Sequence, residues 1–412
     1  MMYRLLFSLY VALFHIVALF YKKAGKIVKG QRDSWDILKN LNPKKNYLWF
    51  HASSLGEFEQ GRPLMEAITC TYPRYSVLLT FYSPSGFEVQ KNYRGADVVC
   101  YLPFDTMCNV RRFIELVQPR AAFFIKYEFW PHYLKELNKE GVPVYLVSGV
   151  FRKNQLFFKP WGGFYRRLLR YFSAFFVQNE TSKVLLNSIG VNNKVFITGD
   201  TRCDRVIDIA AHASEQELIK EFAYDSMVLV AGSTWPEDEE ILIPYINNVH
   251  TEWKLIIAPH EIDENRLRGI EKLLNRPFVR YSAMKNEDAG RVECIIIDSF
   301  GLLSSVYRYG QAAYIGGGFG VGIHNTLEAA VYGIPVLFGP NHTKFEEAQA
   351  LIEAGAAFCI SSQNDLEDEL DKFLASNKTL TQAGENARNY VKEKSGGTAK
   401  ILDVLKTELF KV

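Results

Sequence analysis

The feature that most constrains this chain is a repeated unit. A short apolar run stops at a small, polar or charged loop, and an amphipathic stretch follows. The runs fall at 47–51, 76–81, 98–102, 121–125, 144–147, 174–177 and 195–198, and again at 227–231, 253–258, 294–297, 312–315 and 335–338. Continuous rather than alternating apolar runs belong to strands buried on both faces. Strands separated by helical stretches pair in parallel. The prediction is an α/β chain with helices on both faces of its sheets, and ligand sites at the strand carboxyl ends. At 412 residues the chain is too long for one ordinary core. A polar, acidic, helical connector at 206–225 divides the runs into two similar halves, expected to face each other across a cleft through their strand-end loops. A net charge of +2 gives no sign of a nucleic-acid partner. Six scattered cysteines without a C-x-x-C pair fit buried thiols in a reducing compartment.

The stretch 314–328, YIGGGFGVGIHNTLE, carries the densest chemistry. A strand stops at three glycines, a second glycine-rich turn follows, and a helical pattern begins at Thr326. Glycines let backbone N–H groups converge on an oxyanion, and a helix start adds a positive dipole end. The reading is a phosphate or nucleotide site. A second reading also fits: tight packing of a strand-to-helix turn, with Asn325 and Glu328 as an N-x-x-E capping box. His324 is either a loop-stabilising imidazole or a phosphate ligand.

In the first half, the strand at 47–51 runs into Ala52-Ser53-Ser54-Leu55-Gly56-Glu57. Glu57 is either a first-turn acid favoured by the dipole or a general base at a strand end. Other strand ends supply Ser83-Pro84-Ser85-Gly86, Lys126-Tyr127-Glu128, and Gly199-Asp200-Thr201-Arg202. Glu128 either braces the Trp130-Pro131 turn or orients a substrate. In the second half, Gly232-Ser233-Thr234 and Pro259-His260-Glu261 end their strands, and Lys344 lies in a later loop. No Asp-x-Asp pair suited to a divalent metal appears, so no metal is expected.

Residues 5–21 are apolar except for Ser8 and His15, at the short edge of a bilayer span, and Lys22, Lys23, Lys26, Lys29 and Arg32 follow. The expectation is a membrane anchor, spanning or lying in the interface, with the rest of the chain on the cytoplasmic side. A polar connector is expected at 30–45. The aromatic and basic stretch 151–170 is either a packing helix or a surface for anionic lipid headgroups.

In this order the motifs resemble those of the Kdo transferases, which attach 3-deoxy-D-manno-octulosonic acid (Kdo) to a lipid A precursor. Residues 51–57 resemble the family's H-A-x-S-x-G-E. Residues 101–105 resemble Y-x-P-x-D, and 128–131 resemble E-x-W-P. Gly199, Asp200, Arg202 and Asp204 resemble G-N-x-K-x-D with conservative departures. Residues 232–234 resemble a G-S-T that precedes a histidine, and Gly316-Gly317 with 324–328 resembles G-G…G-G-H-N-x-x-E. Lys126 departs from the first acid of an E-x-E, Trp235 from a histidine, His260-Glu261 from P-R-H, and Ile323 from a glycine. An A-R-x-S after the 144–147 strand has no clean match, although Arg152 lies nearby.

The resemblance implies a GT-B glycosyltransferase: two Rossmann-like domains, acceptor in the first and donor nucleotide in the second, behind an N-terminal anchor helix. The implied division is 1–29 anchor, 30–205 acceptor domain, 206–225 linker, 226–375 donor domain, and 376–412 helices packing back on the first domain. It implies inverting transfer from CMP-Kdo to a lipid A precursor at the cytoplasmic face of the inner membrane, without cofactor. Glu57 is then the base, with Ser54, Gly56, Ser85, Glu128 and Arg202 at the acceptor. Ser233, Thr234, Pro259, His260, Gly317, Gly318, His324, Asn325, Thr326 and Glu328 are at the donor nucleotide. Alternatives are a GT-B enzyme using a UDP- or GDP-sugar, an NAD-binding oxidoreductase, or a lipid-binding scaffold. The early ASSLGE turn counts against the dinucleotide fingerprint.

Overall fold

The computed structural model describes residues 2–192, 194–248 and 252–410. The chain forms two compact units, Met1–Asp204 with Ser395–Val412, and Arg205–Lys394. Each is built on one parallel sheet.

In the first unit the strands are β1 (Asn46–Ala52), β2 (Tyr75–Phe81), β3 (Val98–Tyr101), β4 (Ala121–Ile125), β5 (Val144–Gly149), β6 (Ala174–Val177) and β7 (Val195–Ile197). Their order across the sheet is β3-β2-β1-β4-β5-β6-β7, all parallel. Successive side chains of β1 serve opposite cores. Trp49 packs with Phe113, Phe124 and Tyr133 on one face, while Phe50 stacks on Phe123 on the other. Burial on both faces is why these runs are uninterrupted in the sequence. The Trp49 indole N–H donates to Thr80 Oγ1 at 2.8 Å, so the buried ring leaves no orphaned donor.

In the second unit the strands are β8 (Met227–Thr234), β9 (Trp253–Pro259), β10 (Phe278–Arg280), β11 (Cys294–Ile296), β12 (Ala312–Ile315), β13 (Val336–Phe338) and β14 (Ala357–Cys359), ordered β10-β11-β9-β8-β12-β13-β14. The sequence pattern missed β10 and β14. Both are three-residue edge strands with incomplete burial, so neither needs the apolar run that marks an interior strand.

The N-terminal expectations need correction. The first helix is Met2–Val17, and the polar connector is instead a second helix, Lys22–Lys39, bent from the first by 115°. No single described helix is long and apolar enough to cross a membrane. The second helix is held to the first unit by backbone–side chain pairing. Ser34 Oγ accepts from the Tyr101 N–H at 2.9 Å, and Gln31 Oε1 from the Phe104 N–H at 3.2 Å. Gly30 permits the close approach, since a Cβ there would lie 2.2 Å from the Tyr101 ring. The stretch 151–170 is not one helix but a short 3-10 turn, Leu156–Phe158, and a helix, Gly163–Leu169.

The return to the first unit also begins later than expected. Helix Asn377–Lys394 belongs to the second unit, where Gly384 lies against the Gly333 carbonyl. Only from Ser395 does the chain rejoin the first. Asp204 secures it, accepting from the Gly396 N–H at 2.5 Å, the Thr398 N–H at 2.7 Å and Thr398 Oγ1 at 2.6 Å. Phe410 then stacks on Tyr72 at 3.9 Å.

Candidate active site

In an open parallel sheet, neighbouring loops diverge where the strand order reverses, which leaves a crevice outside the carboxyl ends. That point lies between β1 and β4 in the first unit, and between β8 and β12 in the second.

Glu57 leads from the end of β1 into helix Leu55–Thr71. Its carboxylate reaches back to the Ser53 N–H at 2.5 Å, so it closes the turn that presents it. Burial first, and the neighbouring Glu128 charge second, push Glu57 up to about 8, against the pull of the Ser53 N–H, Lys126 and the Ser54 N–H. A carboxyl so raised is a stronger base than an ordinary glutamate and titrates near neutrality.

Glu128 stands beyond the end of β4 and is fixed by its neighbours. The Trp130 indole N–H donates to Glu128 Oε2 at 2.7 Å, and His51 Nε2 lies 3.2 Å from the same oxygen. His51 is fully buried, its Nδ1 2.9 Å from Thr80 Oγ1. Glu128 thus braces the Trp130 turn, and its charge also bears on Glu57. The connecting residue Lys126 has a left-handed backbone, φ 65°, a conformation that costs a non-glycine residue about 1 kcal/mol and recurs at functional sites.

Ser54 is the N-cap of the Glu57 helix but makes no side-chain cap bond. A Cβ on Gly56 would meet nothing within 4 Å, so internal packing does not require glycine there. The Ser83 N–H donates to the Ser53 carbonyl at 2.8 Å, which brings exposed Ser85 to the same strand-end cluster. Arg202 is different. Its Nη2 lies 2.6 Å from Asp200 Oδ2 and its Nε bonds both carboxylate oxygens. Burial pushes Asp200 upward, yet Arg202 outweighs it and holds the acid below its usual range. Arg202 thus engages a neighbouring acid inside the unit.

In the second unit, Asp238 organises the crevice. One oxygen accepts from Tyr314 Oη at 2.9 Å, the other from the Gly317 N–H at 2.8 Å and the Trp235 N–H at 2.9 Å. It ties the loop after β12 to the loop after β8. Beside it, Glu239 accepts from Thr234 Oγ1 at 2.8 Å and pairs with Arg266. The sequence showed these two acids only as part of an acidic helix start. The missed signal was Asp238, an acid three residues after the N-cap Trp235, the spacing that reaches back to the turn.

Part of the glycine loop is engaged within its own unit. The N–H groups of Gly316, Gly317, Gly320, Gly322 and His324 already donate inside the unit, to Gly232, Asp238, Gly317, Gly317 and Gly316 respectively. Gly316 and Gly318 are needed for contact. A Cβ on Gly316 would lie 2.3 Å from the Ser233 carbonyl, and one on Gly318 2.4 Å from the Gly339 nitrogen. The following helix is one turn, Leu327–Ala330, too short for a substantial dipole. Asn325 Nδ2 donates to Glu328 Oε1 at 2.9 Å, and Asn325 Oδ1 accepts from the Leu327 N–H at 3.2 Å. Thr326 and Pro259 are buried.

Side chains at the same strand ends are also open toward a ligand. Ser233 is the extra residue of a bulge in β8, at φ 55°, and its hydroxyl has no partner among the described residues. His260 is exposed and stacks between Trp235 (4.8 Å) and His324 (4.5 Å). Among the described residues no three metal-binding side chains gather. A cavity of about 1230 Å³ opens at the amino ends of β1, β4 and β5, away from this chemistry.

Residues 29–205 match the family model described as 3-deoxy-D-manno-octulosonic-acid transferase (kdotransferase). The chain is 28% identical to the 3-deoxy-D-manno-octulosonic acid transferase of Aquifex aeolicus, over 84% of this chain and 93% of that one. It is 26% identical to the enzyme of the same description from Chlamydophila psittaci, over 77% and 75%. A putative UDP-N-acetylglucosamine 2-epimerase from Listeria monocytogenes superposes with a TM-score of 0.61 at 14% identity, over 89% of this chain and 98% of that one, which shows the shared two-sheet GT-B architecture. With the fold, the strand-end acid and the motif order in agreement, residues 29–205 form a Kdo transferase family domain, and the chain is similar to Kdo transferases, a class of glycosyltransferase, over most of its length.

Proposed function

We propose that this chain transfers Kdo from CMP-Kdo to a lipid A precursor with inversion at the anomeric carbon. The observation that carries the mechanism is Glu57, a carboxyl raised to about 8 at the strand-order reversal of the first unit. An acceptor hydroxyl is far too weak an acid to ionise at neutral pH, so its proton must leave as the oxygen attacks. Glu57 takes that proton, the new bond forms to the Kdo anomeric carbon, and the bond to the CMP phosphate oxygen breaks. A positioned carboxylate contributes about 10²–10⁴-fold. CMP leaves as an anion and needs hydrogen-bond donors rather than an acid. Ser233, His260 and His324 are the side chains available for that in the second unit, and the reading requires no metal and no nucleic acid.

Attachment to the cytoplasmic face of the inner membrane belongs to the same proposal. Helix Met2–Val17 packs one face on the first unit through Phe7, Val11 and Phe14, while Leu5, Leu6, Leu9, Leu13 and Ile16 are exposed. An outward apolar stripe followed by Lys22, Lys23 and Lys26 suits a helix lying in an anionic interface. Trp161, 74% exposed, adds a second apolar contact from the first unit.

The donor assignment is tested by competition. Product formation from CMP-Kdo is expected to fall with added CMP and to be indifferent to equal UDP. Inhibition by UDP or GDP instead would move the chain to another sugar-nucleotide class.

A further inference from the structure

We propose that Trp235 is a positioning residue: its indole N–H locks His324 into the Nδ1–H tautomer, so that a neutral hydrogen-bond donor is presented to the anionic part of the nucleotide sugar. The inference rests on the reading of the second unit as the donor-binding half.

Trp235 Nε1 lies 3.3 Å from His324 Nε2. An indole N–H only donates, so the imidazole nitrogen that it meets must hold a lone pair, and the proton of a neutral ring then sits on Nδ1. The remaining contacts keep the ring in this pose. The His260 ring stacks on it at 4.5 Å and 28°, with Trp235 stacked in turn on His260 at 4.8 Å and 23°. A Cβ on Gly317 would lie 3.3 Å from His324 Cδ2, so the glycine loop backs the same edge that faces Trp235. The opposite edge carries Nδ1, which has no hydrogen-bond partner among the described residues. Burial and the adjacent His260 hold His324 down to about 4, so the ring is neutral under physiological conditions.

This arrangement answers a need created by the loop itself. Five of its backbone N–H groups already donate within the unit, which leaves fewer for an anion and gives a side-chain donor beside the loop more weight. A lone histidine divides its proton between two nitrogens and points the wrong one part of the time. A fixed tautomer removes that loss before the ligand arrives.

The test uses the full chain labelled with ¹⁵N-histidine, with His324 assigned by comparison with His324→Gln and His260→Gln. At neutral pH the expected His324 pattern is pyrrole-type Nδ1 and pyridine-type Nε2, and Trp235→Phe, which keeps the ring but not the N–H, shifts it toward the opposite tautomer. The same variant is expected to raise the KM for CMP-Kdo about three- to tenfold, the worth of one neutral hydrogen bond, with kcat within about twofold. A wild-type Nε2–H tautomer, or an unchanged His324 spectrum in the variant, overturns the lock. The wild-type spectrum decides this even if the variant fails to fold. A shifted tautomer with unchanged KM overturns the role in donor binding. Absence of any CMP-Kdo turnover by the wild type, with the Nδ1–H pattern present, overturns the donor assignment itself.

Discussion

Replacing Glu128 with glutamine isolates what tunes Glu57. The side chain keeps its shape and an oxygen that accepts from Trp130 Nε1, now 2.7 Å from the carboxylate, but loses its charge. Burial is the larger cause of the raised Glu57 and persists in the variant, whereas the like-charge contribution disappears. The base should therefore remain above an ordinary glutamate but fall by about one pH unit, about 1.4 kcal/mol. The sign follows from the role: a base works ionised, so wild-type kcat/KM should rise with pH and level off above about 8. Near pH 7 the ionised fraction goes from about a tenth to about a half in the variant, partly offset by weaker basicity. The assay is the pH profile of initial Kdo transfer at subsaturating acceptor, wild type against Glu128→Gln. A limb that stays near 8 or moves upward would refute the argument that Glu128 helps raise Glu57.

Three further perturbations test the framework around the two crevices. Asp238→Ala removes the acceptor for Tyr314 Oη and for the Gly317 and Trp235 N–H groups, and should lower the stability of the second unit by about 2–4 kcal/mol in urea unfolding; an unchanged midpoint would contradict it. Gly318→Ala places a methyl 2.4 Å from the Gly339 backbone nitrogen, which cannot move as a side-chain tip could. Displacing the loop should cut kcat/KM by up to about 100-fold, and wild-type kinetics would show that the loop contact is dispensable. Asp204→Ala frees the Gly396 and Thr398 N–H groups, at a cost of about 2–3 kcal/mol, and should expose the C-terminal return to limited proteolysis; equal resistance would argue that the Phe410–Tyr72 stack suffices.

The interior strands were legible because burial on both faces demands continuous apolar runs, and the strand-end acid Glu57 was legible because it follows β1 at once. Edge strands β10 and β14 were not, since an edge tolerates residues such as Arg280. Helix Lys22–Lys39 was hidden by its polar surface, and only close approaches such as Gly30 on Tyr101 reveal its packing. The glycine loop was located but not explained. Its composition is the same whether its N–H groups face a phosphate or bond within the unit, and only the pairing to Gly232, Asp238 and Gly317 separates the two. Asp238 and Trp235 act across loops 79 and 89 residues further along the chain, at Gly317 and His324, and a linear pattern does not show partners at that range.

The central claim is Glu57-dependent transfer of Kdo, and the direct measurement is the mass of the lipid product. Membranes or detergent-solubilised protein carrying either wild type or Glu57→Gln are incubated with CMP-Kdo and a lipid A precursor. The wild type is predicted to add a whole number of Kdo residues, and the variant to do so about 10²–10⁴-fold more slowly. No mass gain with the wild type, or an equal rate with the variant, would contradict the account.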